Sequence, residues 1–186
     1  MVYEVEAKKY PVENWFERHA KSIKDKDEMS LSQRGGEVAA IVVSSLILAF
    51  FAAHQVWNTG FFTSSFGPAE MVLFYGAGLF GIATSFVRMA VGRRNAVRPL
   101  EVIGAVFWAS ASLWLLWVFP FNFANLGKAL PSSLQFLLSW VPNPLGQWIL
   151  AIAAVAGIAQ AIYTTILYLR VRQLMKADSL KAKPSA

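Results

Sequence analysis

The chain has 186 residues, 56% of them hydrophobic and only 15% charged, with a net charge of +6 and no cysteine. A soluble domain is about 25% charged; here the shortage falls in four long segments, as a polytopic membrane protein requires. Lack of cysteine excludes disulfides, thiolate catalysis, iron–sulfur clusters and Cys-based zinc sites. The basic residues sit at the ends of apolar runs and form no patch interleaved with stacking aromatics, which excludes nucleic acid as a partner.

Residues 1–36 are polar and charged. Within them, residues 11–24 have helical character, with Val12, Trp15, Phe16, His19 and Ile23 on one face at i, i+3, i+4, i+7 and i+11. A basic amphipathic helix carrying Trp and Phe suits a membrane surface; the alternative is a helix docked on its own protein. Asp25 to Ser30 reads as a linker, and Gly35-Gly36 as a flexible entry to the first apolar run. That run opens only at Val38, too far in for the short basic region of a cleaved signal peptide.

Four membrane spans are expected, at roughly 37–57, 69–91, 100–119 and 147–169, so the fold class is all-α. About 20 residues at 1.5 Å per residue cross a hydrocarbon core of about 30 Å. Pro99 is placed at the start of the third span, a position proline favours. Between the third and fourth spans the loop is long and apolar. Within it residues 132–141 form a short helix candidate bounded by Pro131 and Pro142, with Leu134, Leu137, Leu138 and Val141 on one stripe. Too short to span, it is expected to lie in the interface, near Trp140 and Trp148.

Sixteen of the seventeen lysines and arginines precede the first span, sit in the Arg88–Arg98 turn, or follow the fourth span; Lys128 is the exception. Positive-inside bias therefore puts both termini and the central turn in the cytoplasm, in the plasma membrane. Trp15, Arg93, Arg94, Arg98, Arg170 and Arg172 are the expected contacts to lipid headgroups.

Ionisable residues within membrane segments are the default functional candidates, and none falls at mid-depth. Glu37, Arg88 and Glu101 gather at the inner boundary; Glu70 lies at the outer one. Arg88 and Glu101 flank the tight turn at similar depth, which predicts an ion pair with Glu37 within reach as a third member. The plainer alternative has Arg88 snorkelling to phosphates and Glu101 complementing a helix dipole. Ala77, Gly81 and Ser85 share a face of the second span that is expected to pack against the third. In the fourth span Ala153, Gly157 and Ala161 make a small-residue ladder beside Gln160 and Thr164. Its plain reading is close helix packing, and its sharper one a polar pathway along Gln160.

No cofactor or metal is expected. His19 and His54 lie on opposite sides of the membrane, and the GxGxxG-like spacing of Gly76, Gly78 and Gly81 stands in an apolar run with no strand before it. No catalytic motif is present. The favoured role is a non-enzymatic membrane subunit that assembles with itself or with a membrane partner. The alternatives are a small oligomeric channel or facilitator and, third, a membrane enzyme acting on lipid.

Overall fold

The computed structural model describes residues 11–25 and 27–181. The side chains of Val12 and Phe16 lie outside the described residues, as do Lys8, Lys9, Lys26 and residues 182–186. The described chain is all-helical: α1 (Pro11–Asp25), α2 (Leu31–Val56), α3 (Pro68–Val91), α4 (Arg94–Val118) and α5 (Asn143–Lys181). Two 3₁₀ segments, Phe123–Ala129 and Ser132–Leu137, lie between α4 and α5. Helices α2, α3, α4 and α5 are long and apolar enough to cross a membrane. Their outward faces carry exposed Leu46, Val72, Phe86, Ile103, Ile152 and Val155, an apolar surface far larger than soluble monomers present.

The helix starts differ from the expected ones, each for a local reason. Helix α2 begins at Leu31 rather than near Glu37 because Ser30 and Gln33 make a capping box: the Gln33 N–H donates to Ser30 Oγ, and the Ser30 N–H to Gln33 Oε1. Gly35 and Gly36, expected to form a flexible entry, are therefore helical. The supposed linker is itself tied down. The Met29 N–H donates to the Gly92 carbonyl, and Glu28 bridges Arg93.

Helix α4 starts at Arg94, so Pro99 lies inside it rather than at its first turn. Asp27 supplies the missing cap from outside the helix. Its carbonyl accepts the Arg94 N–H at 3.0 Å and its carboxylate the Asn95 N–H at 2.8 Å. Two of the orphan donors of the first turn are thereby satisfied. Between α3 and α4 the chain reverses at Gly92, whose φ of +65° is left-handed. Arg34 packs so close to it that a Cβ would collide with the guanidinium.

Helix α5 runs 39 residues, about 58 Å, well past the expected end at 169. Its final turns are the platform for α1: Ala20 is buried against Leu167 and Val171, flanked by Ile23 and Leu174. The His19 ring meets the Tyr163 hydroxyl at 2.9 Å. Helix α1 thus takes the docked alternative, and the region after Arg170 continues α5 as far as Lys181.

Helices pack in chain order, α2 on α3, α3 on α4 and α4 on α5, with α4 against α5 the most extensive. Helices α2 and α5 have no packed interface of their own. The end of this layer opposite the arginine-rich turn is closed by phenylalanines. The two loops there join through a Phe62–Phe121 bridge, with the Asn122 N–H donating to the Phe61 carbonyl at 2.7 Å. Phe61 and Phe121 are buried among Phe51, Phe66, Phe74, Phe119 and Phe123.

The expected helix over 132–141 is a 3₁₀ segment, Ser132–Leu137, followed by a turn. With prolines at both ends, the stretch is too short to satisfy its end groups by α-helical bonds, and i→i+3 bonds tighten it. Leu134, Phe136, Leu137 and Trp140 are exposed; Val141 is buried.

Candidate functional site

At the basic end three helices meet through one guanidinium. Arg88, in the last turn of α3, donates from Nη1 to Glu37 Oε1 of α2 at 2.7 Å, and its Nε lies 2.9 Å from Glu101 Oε1 of α4. All three side chains are largely shielded. The expected cluster therefore exists, with Glu37 as a full member. Chemically it is a latch: it holds a cation between two acids on two other helices. Among the described residues no group of three His, Cys, Asp or Glu side chains could hold a metal ion.

The arginines expected at headgroups divide. Arg93, Arg170 and Arg172 are exposed and Arg94 is half-buried. Arg98 does not reach out: only 6% of it is exposed, and its Nε donates to Asn95 Oδ1 at 2.7 Å. The early start of α4 turns this side chain into the protein. Trp15 is 53% exposed and stacks on the His19 ring.

Gly157 seats α5 on α4. A Cβ there would stand 3.0 Å from Ala109 Cβ and 3.2 Å from the Ala105 carbonyl oxygen. Ala105, Ala109 and Ser112 are the buried α4 face, and Thr164 is buried on α5. Gln160 lies on the flank of this packed face. It is exposed and has no hydrogen-bonding partner among the described residues, with exposed Ala156 and Ala159 beside it.

Gly81 likewise departs from expectation: a Cβ there would meet nothing within 4 Å. The packed glycines are others, Gly76 against Phe107, Gly78 against Leu48 and Gly104 against Phe80. Ser85, on the same face as Gly81, is half-buried. Gly81 instead borders a cavity of about 480 Å³ between α2 and α5, backed by α3 and α4. Ile47, Leu48, Leu115, Ile149 and Ala153 line it, with Ser44 and Ser112 the only hydroxyl side chains. Ile47 and Ile149 are each about half exposed, so it is a cleft open at the side. Its top is closed by Phe61, Phe121, Phe123 and Leu126.

Two residues at this closed end escape sequence reasoning. His54 is 1% exposed. Its Nε2 faces the Leu126 carbonyl at 3.0 Å; a carbonyl only accepts, so Nε2–H is the donor and Nδ1 takes the Thr59 hydroxyl. Glu70 is buried, its carboxylate accepting the Trp114 indole N–H at 2.9 Å and the Gly67 N–H at 3.0 Å. Their partners are 44 to 72 residues away in sequence for Trp114 and Leu126, and no spacing motif marks them. Comparisons with protein-family models, with curated proteins and with solved structures return no match.

Proposed function

We propose that this protein is a non-enzymatic, multi-pass membrane subunit that assembles with copies of itself or with another membrane protein. The observation that carries the reading is Gln160. The segment from Asn143 to Leu169 holds no charge, and Gln160 lies near its middle. Its amide is exposed and has no hydrogen-bonding partner among the described residues. In a bilayer such an amide faces hydrocarbon unless a neighbouring helix bonds it, and an interhelical bond of this kind is worth about 0.6–2 kcal/mol. Ala156 and Ala159 beside it would let that neighbour approach closely.

The remaining features support a structural role. The Arg88 cluster joins three helices through paired charges. The arginine-rich end, with α1 docked on α5, faces the cytoplasm by positive-inside bias, and the plasma membrane is its site. The exposed Leu134, Phe136 and Trp140 then rest at the opposite interface.

The test is the mass of the complex released in mild detergent, measured by native mass spectrometry with lipids retained. A complex that Gln160→Leu reduces to single chains supports the reading. A wild-type protein that is a single chain under the same conditions refutes it. A homo-oligomer of three or more would place Gln160 around a shared axis and call for a flux assay in liposomes.

A further inference from the structure

The cleft between α2 and α5 has a composition, an entrance and a neighbour that together define a ligand. Its lining is apolar apart from the Ser44 and Ser112 hydroxyls, and a cavity of that kind does not hold water. The phenylalanine roof closes its upper end, while its mouth lies beside Ile47 and Ile149, in the apolar length of both helices. Whatever enters does so sideways, from the bilayer. At about 30 Å³ per methylene, roughly the share of one water in the liquid, 480 Å³ holds about 16 carbons. That is one long acyl chain.

The neighbour is Lys128. It belongs to the 3₁₀ segment Phe123–Ala129, which touches both α2 and α5, and Leu126 of the same segment lines the cleft. Lys128 is exposed and has no ion-pair partner among the described residues. It is the only cation in the sequence between Arg98 and Arg170. Glu70, the only acid at this end, is already held by Trp114 and Gly67.

We propose that the cleft binds one anionic phospholipid, an acyl chain filling it and the headgroup phosphate meeting Lys128. This rests on the helices lying in a bilayer, not on the assembly read from Gln160. The experiment uses the full-length chain, delipidated in detergent and titrated with dioleoylphosphatidylglycerol or dioleoylphosphatidylcholine, with bound lipid counted by native mass spectrometry. One phosphatidylglycerol per chain is expected. Ala153→Phe fills the cleft and should weaken binding about tenfold, while Ile152→Phe, on the exposed side of α5, leaves it unchanged. Should Ala153→Phe fail to fold, Gly81→Leu blocks the same space from α3, where a side chain meets open room. Lys128→Gln should weaken phosphatidylglycerol about fivefold, the worth of one lysine at a membrane surface, and leave phosphatidylcholine unchanged. Undiminished lipid binding by both cleft-filling variants overturns the proposal. So does a change in oligomer mass with lipid retention intact, because the occupant would then be protein. A Lys128→Gln variant that binds both lipids like wild type removes the anionic assignment.

Discussion

Arg88 sets one charge against two carboxylates on two other helices, so its loss takes the shared ion pair from two shielded acids. Removing one member of a buried pair costs about 3–5 kcal/mol, and partial exposure lowers that to about 2–3 kcal/mol here. Arg88→Gln should therefore lower the melting temperature of the detergent-solubilised protein, and so should Arg88→Glu, by more. The exchange Arg88→Glu with Glu37→Arg should recover part of the loss; no recovery would mean that Arg88 acts through lipid phosphates instead. Gly92 works beside it. Its positive φ and the packing of Arg34 on it leave no room for a side chain, which makes the turn between α3 and α4 tight enough to align Arg88 with Glu101.

Among the elements, α5 has two tasks along its length. Near its middle Gly157 brings α4 close, and the two helices are held by contact rather than by water exclusion, since lipid tails are as apolar as the side chains. Gly157→Leu should part them at a cost of about 1–3 kcal/mol. Gly81→Ala is the contrasting case: its Cβ meets open space, and replacing a mid-helix glycine should stabilise by up to about 1 kcal/mol. Thermal unfolding of the two variants side by side checks both signs. Further on, α5 carries α1 on Leu167 and Val171. Ala20→Arg places a charge in that contact. Amide exchange should then accelerate over residues 11–25 and stay slow in α2 to α4; unchanged exchange in α1 would mean another contact holds it.

For the molecule as a whole, the arginine-rich end is built as one unit. Asp27 caps α4, Met29 bonds Gly92, and Glu37 reaches Arg88, so the segment before α2 is stitched to the turn before α4. The opposite end is stitched by phenylalanines and His54. Because the chain has no cysteine, sidedness can be read cleanly with single-cysteine variants in intact cells. Lys128→Cys should react with a membrane-impermeant maleimide from outside, and Arg93→Cys only after the membrane is opened. Reaction of both from the same side would rule out an odd number of crossings between the two positions.

The four apolar helices were legible along the chain because a bilayer reads length and hydropathy, both of which are local quantities. Arg88 with Glu101 was legible for a related reason: a short turn forces two flanking residues to one depth. Helix starts were not. Ser30 with Gln33 is a sequence signature in hindsight, but Asp27 capping α4 acts across 68 positions, and no local pattern encodes it. Nor could spacing tell which small residues pack. Gly157 and Gly81 look alike in the sequence, yet one touches Ala109 and the other opens onto a cleft. Periodicity says which residues share a face, while the partner of that face depends on how all four helices are arranged. Because α2 never closes on α5, that arrangement leaves the cleft open and Gln160 exposed.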